Sequence, residues 1–191
     1  ETTQSNNSVT LHDQLPPSIT SVVVDSNNAL VAVTMSEAVF STNNASGAMV
    51  VGNFALYLTG GTATLPDSIP TTISASGNVY TLGFTVSGTP DGSEVLRIIP
   101  INDKIYDNVG NEALRTQSNN TDDLFDDAPP TIASVSSSIS NGIMKIGDQI
   151  PIIITLSETV NVTGTPQITL ETGSTDAVVN YTSGSGSSVL V

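Results

Sequence analysis

The chain has 191 residues, with 18 Asp and Glu against 4 Lys and Arg, and a formal net charge of −14. That balance excludes nucleic acid and anionic membrane surfaces as partners, because both require a basic footprint, and it makes cations the natural counterpart. Cysteine is absent, so there is no disulfide framework or thiol chemistry, and no apolar run approaches the roughly 20 residues of a spanning helix.

The pentapeptide TQSNN at residues 3–7 recurs at 116–120, an offset of 113. At the same offset Leu11, Asp13, Pro16, Pro17, Ile19, Ser21 and Val22 recur as Leu124, Asp126, Pro129, Pro130, Ile132, Ser134 and Val135. A second landmark, VTMSEAV at 33–39, returns as ITLSETV at 154–160 with an offset of 121, eight residues more. A period of this length suits one small domain per repeat. Residues 1–12 are therefore expected to be the last strand of a preceding repeat plus linker, and 13–118 a complete domain. Residues 119–130, NNTDDLFDDAPP, read as an acidic Pro-Pro linker, and 131–191 as the first part of a second domain lacking its last strands.

Helical periodicity is nearly absent. Short β-branched runs separated by Gly, Pro, Asn and Ser predict an all-β fold of antiparallel sandwiches, about seven strands per complete repeat. In chain order the strands are expected at 19–24, 29–35, 53–58, near 69–74, 79–86, 94–100 and 112–117. DSNN at 25–28, SGN at 76–78 and PDGS at 90–93 supply tight turns, with Gly or Asn available for positive φ. Residues 79–86 alternate with one slip at Tyr80 and Thr81. The second copy predicts strands near 132–136, 150–156, 166–171, 177–181 and 187–191.

In such a sandwich the start of the first strand, the end of the second and the loop between the last two share one pole. Asp13, Glu37, Asp103 and Asp107 should therefore converge, although up to 94 residues separate them. The second repeat begins to rebuild this set with Asp126, Asp127 and Glu158. Two carboxylates about 4 Å apart repel by roughly 4 kcal/mol at an effective dielectric near 20, and a divalent ion reverses that cost. All-oxygen ligands without His or Cys favour Ca²⁺, which extracellular modules typically bind at about 10⁻⁴–10⁻³ M. The competing account is turn capping by Asp, for which DNVGN at 107–111 has the right composition. Glu37 and Glu158 stand out because a charge at the end of a buried strand needs a reason. No 12-residue EF-hand pattern occurs.

Catalysis is not expected. His12, the only histidine, sits in a linker, no G-x-S-x-G is present, and the carboxylates recur with the repeat. Phe54, Tyr57, Tyr80 and Phe84 are expected in the core rather than as glycan-binding platforms. The long segment 36–52 carries Val39, Phe40, Met49, Val50 and Val51, which either fold back on the core or contact a glycan or protein ligand.

DDAPPTIASV followed by MKIGDQIPIIITLSETVNVTGTPQITLETG resembles the bacterial Ig-like repeats of large cell-surface and adhesin proteins. Residues 12–118 resemble a sister form through LPPSITSV, VAVTMSEAV, NFALYL and DNVGNEAL. The resemblance implies an extracellular location at the surface of a bacterium. It also implies a structural role in a stalk, often rigidified by calcium, with partners among neighbouring repeats, surface ligands or other subunits of a surface assembly. No membrane insertion of the repeats themselves is expected.

Overall fold

The computed structural model describes residues 11–139 and 142–191. The expected strand in residues 1–12 therefore lies almost wholly outside the described residues; Leu11 and His12 are exposed and form no strand. The chain divides into two units, Glu1–Ala128 and Pro129–Val191. Both are all-β with antiparallel pairing, and a single 3-10 turn at Val51–Asn53 is the only helical element among the described residues. No helix among them is long and apolar enough to cross a membrane.

The first unit contains β1 (Ile19–Val24), β2 (Leu30–Met35), β3 (Phe54–Thr59), β4 (Thr72–Ser76), β5 (Val79–Gly83), β6 (Val95–Pro100) and β7 (Thr121–Asp123). They form two sheets, ordered β1-β2-β5-β4 and β3-β6-β7. Alternation puts Val31, Val33 and Met35 on one face of β2, and Phe54 and Leu56 on one face of β3. These join Leu82, Leu96, Ile98, Ile105 and Leu124 in one buried cluster drawn from both sheets, an arrangement consistent with a β-sandwich. Fully burying an aliphatic side chain of this size contributes about 1.5–3 kcal/mol, so this cluster dominates the unit's stability.

Two of the three expected tight turns form as their chemistry dictates, whereas 90–93 is only bent at Gly92 within the long β5–β6 connection. Asn28 takes φ 52° between β1 and β2, and Asp25 Oδ1 accepts from Ala29 N and Leu30 N at 2.8 Å each. Gly77 sits at φ 58° in the two-residue β4–β5 connection.

Several expectations are corrected. Residues 112–117 form no strand, because Glu112 bridges to Tyr106 and Ala113 N bonds Ile105 O at 2.9 Å, which commits the segment to the preceding loop. The last strand is Thr121–Asp123 instead, within the stretch expected as linker. A polar TDD triplet serves as a strand because β7 is an edge that pairs only with β6. Asp122 Oδ2 then accepts from Val24 N at 2.7 Å, and Leu124 enters the core. β4 begins three residues later than expected, at Thr72, and β5 stops at Gly83, although Phe84 stays buried. Tyr80 is no slip: it points inward at 5% exposure, its ring tilted 46° to that of Phe54 with centroids 6.1 Å apart. Tyr57 is not a core residue but lies on the outer face, with the Arg97 guanidinium 5.5 Å from its ring centre and Arg115 donating to its hydroxyl at 3.1 Å.

The second unit contains β8 (Ile132–Ser137), β9 (Ile152–Val160), β10 (Gln167–Leu170), β11 (Ala177–Asn180) and β12 (Ser187–Leu190), in sheets β12-β9-β8 and β10-β11. Its first hairpin repeats that of the first unit residue by residue. Ile19 pairs with Met35, then Ser21 with Thr34 after a register shift; Ile132 pairs with Leu156, then Ser134 with Thr155 after the same shift. Each hairpin is closed by one serine. Ser36 Oγ accepts from Ser18 N at 3.0 Å while Ser36 N donates to Ser18 O at 2.8 Å. Ser157 Oγ accepts from Thr131 N at 2.9 Å while Ser157 N donates to Thr131 O at 2.8 Å.

Candidate metal centre

One end of the first unit carries the chain leading into β1 and the residues that leave β2. Ser36 closes the β1–β2 pair there, so Glu37 is the first side chain past the sheet. The β6–β7 connection is brought to the same end by an antiparallel bridge, in which Phe40 N donates to Tyr106 O at 2.8 Å and Tyr106 N to Phe40 O at 2.9 Å. Asp107 follows Tyr106. Asp13, Glu37 and Asp107 each offer a carboxylate oxygen, and these oxygens lie within 4.8 Å of one another.

Each acid is held differently. Asp107 is fully buried, and its Oδ1 accepts from the N–H groups of Val109, Gly110 and Asn111 at 2.9, 2.7 and 2.8 Å. Its Oδ2 accepts from Asn111 Nδ2 at 2.7 Å. Since each carboxylate oxygen has two lone pairs, Oδ1 is saturated and Oδ2 retains capacity for a further partner. Burial alone would raise the pKa of Asp107, but the Asn111 side chain and the three backbone donors outweigh it, and the value is lowered. Glu37 is half-buried, and its pKa is raised by burial first, then by the charges of Asp107 and Asp13. Asp13 is exposed; its Oδ1 accepts from Leu15 N at 2.9 Å, and its backbone carbonyl accepts from Asn111 Nδ2 at 3.2 Å. Asn111 thus ties Asp107 to the segment carrying Asp13.

The other expected ligands lie elsewhere. Asp103 is outside the gathered set; it adopts φ 57° in an exposed turn, where its N–H donates to Glu112 Oε1 at 2.6 Å. Asp126 and Asp127 lie beside the β1–β2 turn and the 90–93 turn. Asp127 N donates to Pro90 O at 3.0 Å, its Oδ2 accepts from Asn28 Nδ2 at 2.9 Å, and Asp126 caps Ala128 N at 2.8 Å. Glu158 lies on β9 of the second unit directly after Ser157, as Glu37 follows Ser36. Among the described residues only Asp13, Glu37 and Asp107 form a group of three or more.

Asp107 caps its own loop, as the composition of DNVGN suggested, and its carboxylate also lies near those of Asp13 and Glu37. Oxygen donors from three separate segments, one of them rigidly held, suit a hard divalent cation such as Ca²⁺, whose remaining positions water would fill. The segment 36–52 folds back rather than standing free. Val39 is buried and Met49 packs on the core, Phe40 and Val51 are partly buried, Val50 stays 54% exposed, and Ser41 N donates to Gly47 O at 3.1 Å across the tip.

Sequence reading assigned no role to Glu94. It is fully buried, with Oε1 accepting from Thr62 N and Ala63 N at 3.1 and 3.0 Å and Oε2 from Asp91 N at 3.0 Å. Gly61, at φ 52°, leaves room for this carboxylate where any Cβ would collide with it. The signal available in the sequence was an acid placed immediately before VLRIIP, which is apolar apart from Arg97. Every buried side-chain nitrogen and oxygen among the described residues has a hydrogen-bond partner.

Comparison with known proteins finds no matching family model, no matching curated protein and no matching solved structure.

Proposed function

We propose that this chain is a run of Ig-like spacer modules from a large extracellular protein at a bacterial surface. In this reading the modules extend and orient a stalk, and Ca²⁺ at Asp13, Glu37 and Asp107 stiffens the module end where the chain comes in. The observation that carries the reading is the duplicated hairpin: the same register, the same shift and the same closing serine occur twice in one chain. The strand order β1-β2-β5-β4 over β3-β6-β7 supports it, being that of the constant-type immunoglobulin sandwich. So does the acidic composition, since carboxylates gathered with little compensating Lys or Arg call for a counter-ion. The role is structural, without catalysis, and the partners are neighbouring modules.

The alternative is a module that binds glycan or protein through residues 36–52. Val39 and Met49 are already used inside the unit, which favours the spacer. The 41–47 tip lies outside the core, although Asn43 abuts Gly110 of the Asp107 loop, so deleting it separates the two readings by fold and ligand: a spacer keeps its fold, whereas a binding module loses its ligand. The test of calcium is a thermal melt with Ca²⁺ from zero to about 10 mM, bracketing the affinity of extracellular sites. A saturable rise in melting temperature is expected. No rise removes the metal and leaves the spacer, and an equal rise with Mg²⁺ removes the selectivity for Ca²⁺.

A further inference from the structure

Two of the chain's four basic residues meet at one tyrosine. Register places Tyr57 of β3, Arg97 of β6 and Thr121 of β7 in one row across their sheet, Tyr57 pairing with Arg97 and Arg97 with Thr121. Leu96 and Ile98, on either side of Arg97, are fully buried, so alternation points the row away from the core. All three residues of the row are exposed. The Arg97 guanidinium lies over the Tyr57 ring, 5.5 Å from its centre, and the exposed Arg115 donates to the Tyr57 hydroxyl at 3.1 Å.

Acids outnumber bases 18 to 4, so carboxylates are plentiful, yet neither guanidinium forms an ion pair among the described residues. Even Asp123, on the same face and diagonal to Arg97, is not paired with it. Tyr57 takes the place of a carboxylate: it holds two guanidiniums while leaving their forks open. An arginine lying over an aromatic ring keeps N–H groups free for bidentate contact with an oxyanion. Two cations gathered on one phenol also repel each other, and an anion between them relieves that repulsion. Arg97 lies on the central strand, its main chain between β3 and β7, so the row offers a ligand side chains rather than a strand edge. Those side chains are an aromatic ring, a threonine hydroxyl and two guanidiniums, which match the C–H face, the hydroxyls and the carboxylate of a sugar acid.

We propose that Tyr57, Arg97, Arg115 and Thr121 form a binding site for a carboxylate-bearing sugar, a uronic acid within a saccharide. The carboxylate accepts from both guanidiniums, and the Thr121 hydroxyl serves a ring hydroxyl of the sugar. The net charge of −14 opposes the approach of a polyanion, so the site takes a short saccharide with few acids rather than a highly charged polymer. At physiological ionic strength that opposing field is screened beyond about 8 Å, which leaves the short-range contacts to decide binding. The site uses no residue of 36–52 and none of the three clustered acids, so it stands apart from both the loop-binding and the calcium readings.

The probe is trigalacturonate, titrated into the full chain in EDTA so that Ca²⁺ cannot bridge sugar to protein, with backbone and guanidinium resonances followed by NMR. Saturable binding is expected, with shifts at Arg97, Arg115 and Thr121. The fully methyl-esterified trisaccharide, similar in shape but uncharged, should bind at least about tenfold more weakly. The double variant Arg97→Lys, Arg115→Lys keeps both charges but loses the planar forks, and should lose affinity to a similar degree, about tenfold. Asp123→Asn removes a charge of the ligand's own sign and should tighten binding about two- to threefold. The proposal is overturned by absence of saturable binding, by equal binding of the ester, or by undiminished binding to the lysine variant, which would reduce the patch to charge alone. Equal binding of triglutamate would overturn it too, assigning the patch to acidic peptides.

Discussion

Glu37 and Asp107 sit in one cluster and are displaced in opposite directions, which gives the candidate site a signature before any metal is added. The folded pKa of Glu37 is raised above 4.5, so its ionised form costs stability at neutral pH, and that cost is relieved as pH falls toward 4.5. The folded pKa of Asp107 is lowered below 3.8, so its contribution is present above 3.8 and is lost only as pH falls further, through the lowered value. Metal-free protein should therefore gain stability from Glu37 on mild acidification before losing it through Asp107. Glu37→Gln removes the repulsion at neutral pH and should raise the metal-free melting temperature by about 2–4 °C, corresponding to roughly 0.5 kcal/mol for a partly exposed charge. On the proposed calcium reading the same substitution removes one of the three carboxylates and should abolish a Ca²⁺-induced rise. Calorimetry in EDTA and in Ca²⁺ reads both signs; a variant destabilised without metal would show that Glu37 is held by contacts other than its charged neighbours.

At the scale of elements, Asn28 fastens the tail of the first unit to its first turn. Its Oδ1 accepts from Phe125 N, and its Nδ2 donates to Phe125 O and to Asp127 Oδ2, all at 2.9 Å, while its own backbone takes the left-handed conformation. Asn28→Ala removes three bonds and strains the turn, and should cost about 2–4 kcal/mol. Asn28→Gly removes only the bonds and should cost about 1 kcal/mol less. Urea unfolding of both variants separates the two roles, and equal losses would mean that the turn conformation matters little. This clamp marks where sequence reading ran out. DSNN was legible as a turn from residue chemistry, but the use of Asn28 to hold a segment about a hundred positions away depends on tertiary packing. β1 and β8 were legible because β-branched runs between turn residues leave few alternatives. β7 was not, since TDD has no apolar signal and is a strand only because β6 offers it an edge. The convergence of Asp13, Glu37 and Asp107 followed from chain topology, since Asp13 precedes β1, Glu37 follows β2 and Asp107 lies in the β6–β7 connection. Asp103 failed the same argument because its loop doubles back through the Tyr106–Glu112 bridge and carries it into a turn of its own.

For the chain as a whole, burial is divided unequally between the two units. Every buried residue of the described chain belongs to the first unit, while Ile132, Val135, Ile150 and Val178 of the second are 63%, 59%, 48% and 61% exposed. Apolar burial dominates the stability of a small β domain, and the free energy of local opening tracks it, so the units should open at different costs. Amides of β2, β5 and β6 should exchange at least about a hundredfold more slowly than those of β8 to β12, and denaturant should unfold the chain in two steps, the second unit first. That order also sharpens the reading of any calcium effect. Asp13, Glu37 and Asp107 all belong to the first unit, so Ca²⁺ bound there stabilises only the state in which that unit is folded and should shift the upper transition alone. At a concentration one hundred times the dissociation constant the shift corresponds to about 2.7 kcal/mol, well within calorimetric resolution. Movement of the lower transition instead would place the ion in the second unit, with Glu158 as the first residue to substitute, and would remove the triad from the account.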